Sequence, residues 1–240
     1  MVNLLLMIFL ISQISEADVL KVAVLDTGFD FKSTWSDLSF VKPKMCKYGH
    51  KDFTNTGIQD THGHGTNVSG LIGKVNKDSS YCIVVVKVWG GGPAILNTWL
   101  ALSYAINLKV DIINYSGGGV EKDEKECSLI KKALDKGIVV VASAGNESKN
   151  LDESPFYPAK CDDRVMMISN MNINNRTLGS KSNISKDIIA VQGTAEDSLG
   201  LNNTIHSMSG TSQAAGNFTG KLIKLLNTRS NKHDKRTTNK

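Results

Sequence analysis

Four short segments of this chain carry residue types that move protons or attack a carbonyl. Asp26-Thr27-Gly28 puts a carboxylate at the abrupt end of an apolar run, residues 20–25. Asp60-Thr61-His62-Gly63-His64-Gly65-Thr66 offers two imidazoles two residues apart, and Val68, Leu71 and Ile72 follow at helical spacing. Ala142-Ser143-Ala144-Gly145-Asn146 runs from an apolar stretch into small residues and a side-chain amide. Ser209-Gly210-Thr211-Ser212-Gln213-Ala214 sets a hydroxyl where a helix begins, beside backbone N–H groups that have no partner within the helix. A carboxylate at a strand end can be held ionised by nearby donors, and a hydroxyl at a helix start lies beside backbone N–H groups that can stabilise an oxyanion.

Each segment also has an ordinary reading. An Asp at a strand-to-turn junction is commonly structural. Asp-Thr-Gly also marks aspartic proteases, but these need two such carboxylates side by side, and the chain has no second Asp-Thr-Gly. Paired histidines suggest a metal, yet no further ligands follow at recognisable spacing. A Ser at a helix start is usually a cap, and Asn146 suits a turn. The Gly-rich turns at residues 90–92 and 117–119 fit neither G-x-G-x-x-G nor a phosphate-binding loop, which argues against a nucleotide-binding protein.

The elements that must position these residues are legible as patterns. Near-continuous apolar runs at 20–25, 82–88, 110–114, 138–142 and 165–169 read as strands buried on both faces. Between them, residues 96–108 have helical periodicity with Asn97 as a plausible N-cap, and residues 127–136 read as a helix stopped by Gly137. Strands alternating with helices predict an α/β fold: a three-layer, doubly wound, mostly parallel sheet with helices on both faces. Ligands of such sheets bind beyond the carboxyl ends of the strands. Asp26, Ser116–Gly119 and Ala144–Asn146 fall at that edge.

Composition narrows the class. The chain has 240 residues, 40% hydrophobic and 21% charged, which suits one sizeable folded domain rather than disorder. Its formal net charge is +5, but residues 227–240 hold five Lys/Arg and one Asp, so most of the excess lies in that expected unfolded basic tail. The near-neutral body, residues 18–226, carries no electrostatic footprint for nucleic acid. Residues 4–11 are apolar, far short of the roughly 20 residues of a membrane span. With Ser15-Glu16-Ala17 behind them, residues 1–17 read as a secretory signal peptide, though no Lys or Arg precedes the apolar block. Four cysteines without any C-x-x-C suit an exported protein with two disulfides and argue against structural zinc.

The four segments, in this order and over residues 19–226, resemble the subtilisin-like serine proteases, the subtilase family. Asp111-Ile112-Ile113-Asn114-Tyr115-Ser116-Gly117-Gly118, Tyr157-Pro158-Ala159 and Asp187–Gly193 are similar to its cleft strand and later connecting segments. The resemblance implies a secreted serine endopeptidase acting on protein or peptide substrates as a monomer, with Ser212 as nucleophile, His64 as base and Asp26 orienting His64. Asn146 and the Ser212 N–H would form the oxyanion hole. Ser116, Gly117 and Gly118 would take substrate as an added strand beside Ala144 and Gly145, with Gly117 leaving a roomy subsite. His62 receives no role beyond a structural or rim position. Glu147, Asp152 and Glu153 would either favour basic substrate residues or form a solvated loop.

Departures from the family pattern are also visible. Only about 20 residues precede the strand with Asp26, where secreted relatives commonly carry a large pro-segment, so the chain is expected either to fold unaided, to need another protein or to be a truncated one. Gly216 stands where Pro is usual, Asn67 where many members have a second His, and the chain ends soon after the serine helix. The short Lys74–Ser80 connection lacks a calcium-binding loop, and Asp78 alone cannot supply six ligands, so no metal or other cofactor is expected. The resembling fold implies the pairings Cys46–Cys82 and Cys127–Cys161. A catalytically silent, peptide-binding or inhibitory relative is the alternative from another functional class.

Overall fold

The computed structural model describes residues 19–35, 40–172, 174 and 176–237. The expected signal peptide, residues 1–17, lies outside them. Strands β1 (Leu20–Asp26), β2 (Lys51–Asp52), β3 (Tyr81–Lys87), β4 (Ile112–Tyr115), β5 (Val139–Ser143), β6 (Met166–Asn172), β7 (Thr177–Leu178) and β8 (Ile189–Gln192) form one sheet. Its order is β2-β3-β1-β4-β5-β6-β7, with β8 also on β6, and only the β6–β7 pair is antiparallel. A two-stranded antiparallel ribbon, β9 (Glu196–Leu199) and β10 (Ile205–Met208), stands apart.

Side chains alternating along β1 go to two different cores, which is why the strand reads as apolar throughout. Ala23 and Leu25 join Ala101, Leu102 and Ala105 of helix α2 (Ala94–Asn107) and Ile130, Ala133 and Leu134 of α3 (Glu124–Asp135). Val22 and Val24 join Val68 and Ile72 of α1 (His64–Lys74) and Ala214, Leu222 and Ile223 of α4 (Thr211–Thr237). Two helices therefore cover each face, the doubly wound three-layer arrangement expected. β1 is central, paired to β3 on one side and β4 on the other. Leu25 lies opposite Tyr115, and Tyr115 opposite Ala142. That register brings Asp26, Ser116 and the start of the Ala144–Asn146 loop to one edge.

Two local expectations are corrected. Asn97 does not cap α2, which starts a turn earlier behind Pro93. Its buried amide donates instead to the carbonyls of Val88 (3.1 Å) and Gly91 (2.8 Å), because the turn leaving β3 is folded back over it. The segment from Asn227, expected as an unfolded tail, is helical as far as Thr237, and it holds no Gly or Pro that would stop a helix. α3 is capped by Asp123, whose side chain accepts from Glu126 N–H, and Gly137 (φ +81°) follows its last turn. Both disulfides implied by the resemblance are present, Cys46–Cys82 and Cys127–Cys161. No helix among the described residues is long and apolar enough to cross a membrane.

Candidate active site

Asp26 ends β1 and is buried. Its Oδ1 accepts from the Thr27 N–H (2.7 Å) and from His64 Nδ1 (2.7 Å), while its buried Oδ2 has no hydrogen-bond partner among the described residues. His64 opens α1 behind Gly63, whose φ of +96° lies in the left-handed region that favours glycine. Burial disfavours a charged His64 ring. The Asp26 carboxylate, through its charge and hydrogen bond, and the charge of Asp60 outweigh that penalty, so the pKa is raised above 6.5.

The tight entry to α1 depends on Gly65. A Cβ there would collide with the Gly28 carbonyl and crowd Asp26. It also depends on Asp60, a residue whose part the sequence motif did not disclose. Buried Asp60 accepts five hydrogen bonds: at Oδ1 from Thr27 Oγ1 (3.0 Å), His62 N–H (2.9 Å) and Gly63 N–H (2.8 Å), and at Oδ2 from the Thr66 N–H (3.0 Å) and hydroxyl (2.7 Å). Thr27 Oγ1 in turn accepts from the Gly65 N–H. One carboxylate thus joins the turn after β1 to the start of α1. His62 is exposed, its ring edge-on to His64 at 6.3 Å between centroids.

Ser212 lies in the first turn of α4 and is largely buried. Its hydroxyl donates to the Ser116 carbonyl at 3.0 Å and not to His64; His64 Nε2 has no hydrogen-bond partner among the described residues. The Asp26–His64 pair is therefore formed, whereas the imidazole–hydroxyl bond is not. The two helices nevertheless meet near these residues. Gln213 Nε2 reaches Asn67 Oδ1 (3.4 Å), and Gly216 lies so close to Val68 that an added Cβ would stand 3.1 Å from its carbonyl oxygen. Asn67 itself is buried and donates to the His206 carbonyl.

A second buried network, hidden in the apolar run of the sequence, ties α4 to β4. Thr219 Oγ1 donates to Asn114 Oδ1 (2.8 Å), and Asn114 Nδ2 to Ser116 Oγ (2.8 Å). Asn146 is exposed, and its Oδ1 accepts from the Thr211 N–H at 3.0 Å, leaving its NH₂ group free to donate. The backbone groups of Gly117 and Gly118 are engaged by no other segment among the described residues, while Gly119 bridges Tyr157 in antiparallel fashion. Ala144 and Gly145 have no such freedom. Their N–H groups donate to the Ile168 carbonyl and to Thr211 Oγ1, and their carbonyls accept from Asn183. They can offer surface to a ligand but not those carbonyls.

The roomy subsite expected over Gly117 is filled: the Trp89 ring packs there, where any Cβ would overlap it. The acidic residues after Asn146 brace loops. Glu147 accepts from Asn183 (2.6 Å) and Glu153 from Asn150. Asp152 accepts from the Lys186 N–H, Lys160 and Ser185, which hold its pKa far below the usual carboxylate range. Among the described residues, no group of three or more His, Cys, Asp or Glu side chains is gathered as a metal ion would require.

A buried acid–imidazole pair, a helix-borne hydroxyl and an amide free to donate stand at the carboxyl edge of a parallel sheet, the parts that serine hydrolases use. The sequence profile of the Subtilase family matches residues 18–239, and the chain belongs to that family of subtilisin-like serine proteases. It is 32% identical over 223 residues to the major intracellular serine protease of Bacillus subtilis (strain 168), covering 85% of this chain and 67% of that protein. It is 30% identical over 225 residues to subtilisin E of the same organism, covering 86% of this chain and 55% of that protein. The chain thus spans between about half and two thirds of these relatives. Among solved structures, the epidermin leader peptide processing serine protease of Staphylococcus aureus superposes with a TM-score of 0.73 at 19% identity, covering 90% of this chain and 68% of that one. The nisin leader peptidase of Lactococcus lactis does so with 0.73 at 18%, covering 92% and 80%. At such identities the structural likeness concerns the fold alone.

Proposed function

We propose that the protein is a secreted serine endopeptidase that hydrolyses peptide bonds through Asp26, His64 and Ser212. The observation that carries this reading is the buried 2.7 Å Asp26–His64 hydrogen bond beside a helix whose first turn bears Ser212. Asp26 fixes the tautomer with the proton on Nδ1, leaving Nε2 to act as base. Ser212 turns about its Cα–Cβ bond from the Ser116 carbonyl to His64 and attacks the scissile carbonyl as Nε2 takes its proton. The oxyanion lies between the Asn146 NH₂ group and the Ser212 N–H. His64 then protonates the leaving amine, and water hydrolyses the acyl-enzyme by the same steps in reverse. Substrate lies along Gly117 and Gly118, whose backbone groups are free to pair with it.

Export is supported by the apolar block at residues 4–11 and by two disulfides, which persist in oxidising compartments. The intracellular relative argues the other way, and recovery of the processed chain from culture medium or from the cell interior decides between them. The hydroxyl bonded to Ser116 favours a second reading, a silent domain that binds peptides. A fluorophosphonate probe separates the two. Labelling of the wild type but not of Ser212→Ala supports the peptidase; folded wild type that takes no label refutes it.

A further inference from the structure

Two imidazoles stand side by side at the entry to α1, and the proposed chemistry uses only one of them. The rings of His62 and His64 lie edge to face with centroids 6.3 Å apart. His62 is exposed, and no described residue hydrogen-bonds its ring nitrogens. Its backbone is fixed, since Asp60 Oδ1 accepts from the N–H groups of both His62 and Gly63. His64 gives Nδ1 to Asp26 at 2.7 Å and keeps 22% of its side chain open to solvent. Its Nε2 has no partner among the described residues, because the Ser212 hydroxyl is turned to the Ser116 carbonyl.

A histidine that binds a metal almost always donates its other ring N–H to a carboxylate, carbonyl or water, which fixes the tautomer and raises the basicity of the free nitrogen. Asp26 does this for His64. A neutral imidazole prepared in that way is a ligand for a divalent transition ion. With Zn–N bonds of about 2.0–2.1 Å, two rings on one tetrahedral ion have centroids roughly 5 Å apart. His62 closes the remaining gap of about 1 Å by turning its exposed side chain on a backbone that need not move. No third His, Cys, Asp or Glu joins the pair among the described residues. An ion held here therefore keeps water in its other positions and is exchangeable, unlike a structural metal enclosed by four side chains.

We propose that His62 and His64 together form a reversible inhibitory site for a divalent transition ion of the zinc class, with His62 as the residue that completes it. Bound to Nε2, the ion occupies the lone pair that takes the Ser212 proton, so the rate falls as the site fills. That consequence rests on the peptidase reading; the binding itself does not. Calorimetric titration of zinc chloride into the Ser212→Ala variant, which cannot digest itself, detects a single site, and adding His62→Ala weakens its affinity at least about tenfold. An unchanged thermal melt establishes that the double variant folds. Calcium, which prefers oxygen ligands, gives no such heat. Zinc moves the ring signals of His62 and His64 in two-dimensional NMR and leaves those of the other three histidines in place. With Ser212 intact, half-inhibition of peptide hydrolysis takes at least about tenfold more zinc in His62→Ala than in the wild type, each measured against its own rate in a chelator. Equal zinc affinity with and without His62, or ring shifts confined to other histidines, overturns the proposal. Zinc bound through both rings in a protein that takes no fluorophosphonate label sustains the site and sinks the peptidase reading. A zinc-saturated enzyme that hydrolyses at full rate refutes the inhibition.

Discussion

Replacing Asp60 with Asn tests the link between a buried brace and the chemistry of His64. The change keeps shape and removes a charge. Of the two carboxamide orientations, the less damaging puts the new NH₂ group against Thr66, since Oδ1 faces three donors and Oδ2 two. The Thr66 hydroxyl can turn, but the Thr66 N–H is then left facing a donor. Losing one or two hydrogen bonds to a charged acceptor, at about 1.5–3 kcal/mol each, predicts a loss of about 3 kcal/mol in unfolding free energy, read from urea titrations. The same change removes one of the charges that raise the His64 pKa, so the imidazole titrates at lower pH in the variant. Two-dimensional NMR of the His64 ring, alongside the pH–rate profile, measures that shift. An unchanged His64 titration together with a loss below about 1 kcal/mol would refute the role given to Asp60.

Wild-type activity rises with pH and levels off, with a midpoint above 6.5, since His64 must be neutral to act as base. The stability from the same group runs oppositely. It is fully present below the unfolded-state pKa and lost as pH rises through the raised folded-state value, and a flat rate from pH 5 to 9 contradicts this assignment. Asn146→Ala lowers kcat by about 100–1000-fold with little change in KM, the size of effect seen in a subtilisin on removing such a donor. A comparable rise in KM with unchanged kcat would reassign Asn146 to substrate binding. Gly117→Ala drives a methyl into the Trp89 ring and costs about 1–3 kcal/mol in chemical denaturation, with an altered tryptophan fluorescence spectrum. Wild-type stability in that variant would mean the indole is not packed there.

The sheet and the four site segments were legible because their signals are local. Apolar runs of strand length end in small residues, with Asp26 and Asn146 at such ends, while His64 and Ser212 stand where helical patterns begin. What escaped depends on partners far along the chain. Asn97 looked like a cap because its neighbours follow a helical period, but its amide is used by the turn after β3. Glu126 lies just outside the helix read at 127–136, and only the fold turns it inward to Tyr115. Gly117 suggested open space, which Trp89, 28 residues earlier, fills. Asp60 lies in the histidine segment, yet its importance comes from five donors on both sides of it.

The absence of a side chain at Gly216 has a mechanical outcome. Nothing cushions α4 from the backbone of α1 at Val68, so the element bearing the imidazole and the element bearing the hydroxyl are geared together. Warming cannot detach one and spare the other. Inactivation and the cooperative melt should coincide, and an intermediate that retains its sheet but has lost that gearing should be inert.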